Sequence, residues 1–177
     1  MTNTEVVPGV EVLDIRTVRI STAPSLSELS QLEYHLGYLA SSKDRIYIRL
    51  WKNSGNGKFN MEWLALADIE KALVKIPANG TFAADSFAPL FQGRSVNSRY
   101  FTIACLLHAG LLARTEEGYA RNTPAELWQE LLALIEAGTD LLPASMDNKP
   151  AHIVVPIPKA PKTAKKVGRP VGSGANA

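Results

Sequence analysis

The chain has 177 residues, 46% hydrophobic and 20% charged, a globular composition that suits one domain, or one domain with a tail. Nineteen Lys and Arg against 17 Asp and Glu leave a net charge of +2, which excludes a histone-like polycation. A single cysteine, Cys105, excludes a disulfide framework or a Cys-rich zinc module, and the three histidines (His35, His108, His152) are too scattered in sequence to suggest a metalloenzyme. The opening MTNTEVVPGV lacks a basic and then apolar region, so no signal peptide is expected. No stretch reaches the roughly 18 apolar residues of a membrane span. The expectation is a cytoplasmic protein without membrane contact, metal or other cofactor.

The mean charge hides a partition. Residues 1–143 carry 13 basic and 16 acidic side chains, net −3, whereas residues 144–177 carry six basic and one acidic, net +5. Within the first part, residues 43–58 are net +4 and residues 94–121 net +2. Local basic faces can therefore exist on a body that is acidic on average.

In chain order, "VEVLDIRTVRI" (residues 10–20) is rich in β-branched residues and predicts one or two short strands. Ser25 and Glu28 form a capping-box pattern, and Leu29, Leu32, Leu36 and Leu39 follow at helical spacing, which predicts a helix over 26–40. In "RIYIRLWK" (45–52), Ile46, Ile48 and Leu50 alternate with Arg45, Tyr47, Arg49 and Trp51, a strand with one apolar and one cationic-aromatic face. "NSGNG" then turns the chain, and residues 58–64 are expected to return as the second strand of a hairpin. The cationic-aromatic face would suit phosphates and bases. The preferred reading packs Tyr47 and Trp51 on the 26–40 helix, with the arginine heads in water. "GNGK" is not a Walker A loop, because Lys52 stands where its first glycine is needed.

A helix is expected over 67–76, ended by Pro77 and Gly80, then a short one over 82–90 limited by Pro89. Residues 96–109 read as the clearest helix, with Gly110 placed to cap its end. Residues 111–114 and 119–122 are short strands around a turn at 115–118. Thr123, Pro124 and Glu126 then start a last helix, in which Leu127, Trp128, Leu131, Leu134 and Ile135 make an apolar stripe. That stripe fits docking on the core or a dimerisation helix.

The order helix, short helix, turn, longer helix, glycine and hairpin resembles a winged helix-turn-helix domain over about residues 64–138. The most specific stretch is "LLHAGLLARTEEGYARN" (106–122), similar to the end of the recognition helix and the wing in many bacterial regulators. The resemblance implies a winged-helix domain with a C-terminal helix (64–143). With the N-terminal strand/helix/β-hairpin portion (1–63) and a basic, proline-rich tail (144–177) whose prolines and mutually repelling lysines predict disorder, it gives an α+β protein. The resemblance also implies double-stranded DNA as partner and a homodimer reading two half-sites. A helix start entering the major groove would present Arg94, Ser95, Asn97, Ser98, Arg99 and Thr102, with Arg99 suited to guanine and Asn97 to adenine. Arg114 and Arg121 flank the wing turn, whose tip carries Glu116 and Glu117, which repel phosphate.

In the tail, Lys165, Lys166, Gly168, Arg169 and Pro170 resemble an AT-hook, whose Gly-Arg-Pro core lies in the narrow minor groove of A·T-rich DNA; Val167 stands where stronger hooks have a second arginine. Cys105 and His108 are three residues apart on an apolar stretch and read as core or helix-end residues rather than as a catalytic pair. No enzyme is expected. The reading is a nucleoid-associated or transcription-regulating DNA-binding protein. Its alternative is a protein–protein adaptor, or an inhibitory factor of a mobile element, that uses the same winged helix without touching DNA.

Overall fold

The computed structural model describes residues 13–142. They form a mixed α+β structure with two antiparallel sheets. The first sheet is a meander in the order β1-β2-β3-β4, from β1 (Ile15–Pro24), β2 (Gln31–Leu39), β3 (Ser42–Asn53) and the short β4 (Leu64–Ala65). Helix α1 (Leu66–Ala72) follows at once. Then come β5 (Thr81–Phe82), a 3-10 helix (Ala84–Phe91), α2 (Val96–His108), the hairpin β6 (Leu112–Thr115) and β7 (Gly118–Arg121), and α3 (Ala125–Glu136). The small sheet has the order β5-β7-β6. Among the described residues no helix is long and apolar enough to cross a membrane.

The helix expected over 26–40 is instead strand β2. Leu32, Tyr34, Leu36 and Tyr38 also satisfy a period of two, and all four are buried against the helices. Each is paired with a neighbour on both sides, for example Leu36 with Arg19 and Ile48. Those ladder bonds and the shared core outweigh the helical leucine spacing, and Leu29, which the helix would have placed on its apolar stripe, is exposed. The capping box fails with the helix: Glu28 has φ +60°, and Ser25 closes a β1–β2 turn. There the Ser30 N–H donates to Ser25 Oγ at 3.3 Å and the Ser25 N–H to the Ser30 carbonyl at 2.8 Å.

Strand β3 lies where the alternation puts it, extended to Ser42–Asn53. Its hairpin partner is β2 rather than residues 58–64, of which only Leu64 joins the sheet, with Ala65, as β4. The expected packing of Tyr47 and Trp51 on a helix is also overturned. Register places Tyr47 and Arg49 opposite Gly37 and His35, on the face turned away from the helices.

The core lies between the other face of this sheet and the helices. Val18, Leu36, Ile48 and Leu50 meet Ile69 of α1 and Leu73 just after it, Phe87 and Leu90 of the 3-10 helix, and Ile103 and Leu106 of α2. Leu127, Leu131 and Ile135 of α3 complete it, so the core is continuous across residues 63 and 64. Helix α1 stops at Ala72, earlier than the expected 76. Helix α2 ends as its glycine foretells: Gly110 has φ +75°, its N–H reaches the Leu107 carbonyl at 3.0 Å and the Leu111 N–H the Leu106 carbonyl at 2.9 Å. That pair of bonds satisfies the last free carbonyls in a left-handed turn that glycine adopts without strain. Thr123 does not cap α3. Pro124 occupies the N-cap position, and the Thr123 N–H donates to Asn122 Oδ1 at 3.0 Å.

Candidate nucleic-acid interface

The polar start of α2 is built against residues 58–62, part of the connection from β3 to β4. Ser95, Ser98 and Thr102 lie along one side of the helix at three- and four-residue spacing and face this segment. Ser95 Oγ donates to the Lys58 carbonyl at 2.6 Å, and Asn97 Nδ2 donates to the same oxygen at 3.2 Å. The Ser95 N–H, an orphan donor of the helix start, reaches Asn60 Oδ1 at 3.2 Å. Ser98 is buried and bonds Asn60 twice. Thr102 is half-buried and lines a narrow cleft with Asn60, Glu62 and Arg94. Arg94 is ion-paired to Glu62.

Arg99 folds back along the helix rather than outward. Its Nη1 lies 2.8 Å from Asp85 of the 3-10 helix, and its Nη2 donates to the Tyr100 hydroxyl at 3.0 Å. Six residues expected at a DNA groove are thus brought together, but five of them (Arg94, Ser95, Asn97, Ser98 and Arg99) hold the chain to itself. The middle of α2 is covered as well. Ile103, Ala104, Cys105 and Leu106 are four consecutive buried residues, because the four-stranded sheet packs on one side of the helix and the 3-10 helix and β6 on others. What α2 leaves in solvent at its start is Val96, 66% exposed, and Tyr100, 37% exposed.

The wing residues divide. Arg114 is exposed, with its guanidinium 5.9 Å from the Tyr119 ring centre, and has no carboxylate partner among the described residues. Arg121 turns inward to the end of α1, donating to the carbonyls of Leu73, Ile76 and Pro77. Glu117 accepts a bond from the Thr81 hydroxyl at 3.1 Å, and Glu116 is exposed. Lys165, Lys166, Gly168, Arg169 and Pro170 of the hook-like motif lie outside the described residues.

A cluster that the sequence did not disclose sits on the outer face of the first sheet. Arg49 is buried between two indoles, 4.3 Å from the ring centre of Trp51 and 4.4 Å from that of Trp63. Its Nε donates to His35 Nδ1 at 3.1 Å, and His35 Nε2 lies 3.3 Å from Glu33 Oε1. An arginine donor on Nδ1 fixes the proton of a neutral His35 on Nε2, where it can be given to the carboxylate. The alternation of β3 put Arg49 and Trp51 on one face; nothing local to that strand announced His35 or Trp63.

Cys105 is buried, and desolvation pushes its thiol up to about 12. His108 is not turned to it: its Nδ1 lies 3.0 Å from the hydroxyl of Tyr34, whose own pKa is raised by burial. Among the described residues no group of three or more His, Cys, Asp or Glu side chains is placed to hold a metal ion. Compared with protein-family models, curated proteins and solved structures, the chain matches none.

Proposed function

We propose that this is a winged-helix protein that associates with double-stranded DNA, as a transcriptional regulator or a nucleoid-type accessory factor, through phosphate contacts of its wing and its basic C-terminal segment. The observation that carries this reading is the small sheet. The succession α1, β5, 3-10 helix, α2, β6, β7, with strand order β5-β7-β6, resembles that of a winged helix and supports this reading, and its hairpin presents Arg114, exposed and without a carboxylate partner among the described residues. The net +5 of residues 144–177 and their Gly168-Arg169-Pro170 core supply a second cationic contact suited to a narrow A·T minor groove. In this reading α2 is a structural helix, since its polar start is bonded within the chain. Any homodimer contact through α3 uses its outer face, where Leu132 is exposed, because Leu127, Leu131 and Ile135 are already buried.

The test is DNA affinity against salt for A·T-rich and mixed duplexes. Each lost phosphate contact lowers the slope of log K against log salt by about 0.9. Arg114→Ala should lower it by about one such step, and Lys165→Gln with Lys166→Gln and Arg169→Gln by about three. Arg99→Ala should leave slope and base preference unchanged. Absence of salt-sensitive binding at low ionic strength would overturn the proposal.

One observation favours the adaptor as a second reading. The residues α2 leaves outermost, Val96 and Tyr100, are apolar and aromatic and lie one turn apart, a surface suited to protein rather than phosphate. Capture of a partner protein that Val96→Asp abolishes, together with no DNA shift, would establish it.

A further inference from the structure

A cavity of about 390 Å³ opens between α1, the end of α2, the start of β6 and the first turn of α3. Its walls are chiefly apolar, with Leu73, Leu106, Leu112 and Trp128 among them, and its polar edge includes Glu70 and Thr123. That volume lies within the range of small-molecule sites, as does an apolar lining with few polar groups. An interior is otherwise close-packed, and apolar walls facing a void forfeit dispersion contacts. Leu73, Leu106 and Leu112 are buried residues of the main core, so the floor of the gap is continuous with that core, while Ala67, Glu70, Asn122 and Thr123 form its exposed rim.

We infer that this cavity binds a small, largely apolar molecule carrying one hydrogen-bond donor. The edge chemistry sets the donor. Asn122 also lines the cavity, but its amide is committed: Nδ2 donates to the Gly110 carbonyl at 2.8 Å and Oδ1 accepts the Thr123 N–H. Glu70 offers a carboxylate held only loosely, 3.5 Å from Arg121 Nε. The Thr123 hydroxyl makes no hydrogen bond among the described residues and can accept as well. A hydroxyl, amine or N–H group at that edge can be offered to the Glu70 carboxylate or the Thr123 hydroxyl, and the rest of the ligand meets leucine and tryptophan. Because the walls come from separate elements, the bound molecule fastens the first turn of α3 to α1 and to the root of the β6–β7 hairpin.

N-phenyl-1-naphthylamine is an uncharged aromatic probe with a single N–H, and its emission rises in apolar surroundings. Titrated into the full chain, it should give a saturating rise at about one molecule per chain and raise the melting temperature. Ala67 is exposed and lines the rim, so Ala67→Trp should plug the mouth and weaken binding by about tenfold or more. Thr123→Phe should do the same from the α3 side. Circular dichroism melts verify that each variant folds, and if one does not, the other decides. A rise that fails to saturate, or equal affinity in a folded plugged variant, would overturn the inference; the latter would place the dye elsewhere, such as on Val96 and Tyr100.

Discussion

Ser98 and Asn60 are joined by two hydrogen bonds: the Asn60 N–H donates to Ser98 Oγ at 2.9 Å, and Ser98 Oγ donates to Asn60 Oδ1 at 3.0 Å. Ser98 is only 2% exposed, so losing its hydroxyl leaves the Asn60 N–H without its partner at a part-buried site. Ser98→Ala should cost about 1–3 kcal/mol, the penalty for leaving buried polar groups without a partner. Urea unfolding measures this. A midpoint equal to wild type would show that the 58–62 segment is not clamped to α2. In the proposed mode of DNA association the same variant, while folded, keeps the wild-type salt slope.

Gly37 lies under Trp63. A Cβ at Gly37 would stand 2.7 Å from the Arg16 carbonyl oxygen and 2.9 Å from Trp63 Cη2. The backbone oxygen cannot step aside without disturbing the β1–β2 ladder, so Gly37→Ala forces an overpacked site that costs roughly 1–3 kcal/mol. Trp63 should lift from Arg49 and its fluorescence should shift with solvent entry. Unchanged stability and emission would mean that the indole does not seal this face.

Arg121 holds the end of α1 by a fork. Its Nη1 donates to the Pro77 carbonyl at 3.1 Å, while Nη2 donates to the carbonyls of Ile76, at 2.9 Å, and Leu73. Hydrogen bonds from a charged donor are worth about 1.5–3 kcal/mol, and here two are part-buried and one is exposed. Arg121→Ala should lose stability on that scale, and Arg121→Lys should recover only part of it, since an ammonium lacks the planar fork. Amide exchange over residues 66–77 should quicken in both. Wild-type protection in Arg121→Lys would show that charge alone suffices.

Cys105 makes stability depend on alkaline pH. Burial raises its thiol from the ordinary 9.0 to about 12 in the folded chain. Below pH 9 both states keep the proton and this contribution is constant. Above it the unfolded chain releases the proton while the folded chain retains it. Stability therefore falls as pH rises, by about 1.4 kcal/mol per unit, until the pH approaches the folded value. Cys105→Ala removes this contribution, so the difference in slope between wild type and variant isolates it. Equal slopes would refute the burial of the thiol, as would rapid reaction with a thiol reagent in native buffer near neutral pH.

The segments most legible in the sequence are those whose pattern is local. The alternation of Ile46, Ile48 and Leu50 placed β3, and Gly110 ended α2 because only a left-handed turn satisfies the last carbonyls there. The hairpin 112–121 and the short helix near Pro89 were legible for the same reason. Residues 26–40 were not. Their leucines fit a period of 3.6 and their Leu32, Tyr34, Leu36 and Tyr38 a period of two, and only pairing with β1 and β3 decides between them. Among site residues, the gathering of Ser95, Asn97, Ser98 and Thr102 on the start of one helix was legible from spacing. The engagement of Ser95, Asn97 and Ser98 by Lys58 and Asn60 was not, because those partners lie some 35 or more positions away in sequence.

By itself, then, the sequence determined which residues are apolar, where turns must fall, and that positive charge is concentrated at residues 144–177. The tertiary structure decided what those residues face. It spent Arg94, Arg99 and Arg121 on Glu62, Asp85 and the end of α1, left Arg114 in solvent, and enclosed Arg49 between Trp51 and Trp63. Formal charge is a property of composition. Whether a cation is available to a partner depends on which carboxylates, carbonyls and rings the fold brings to it, and those contacts are non-local.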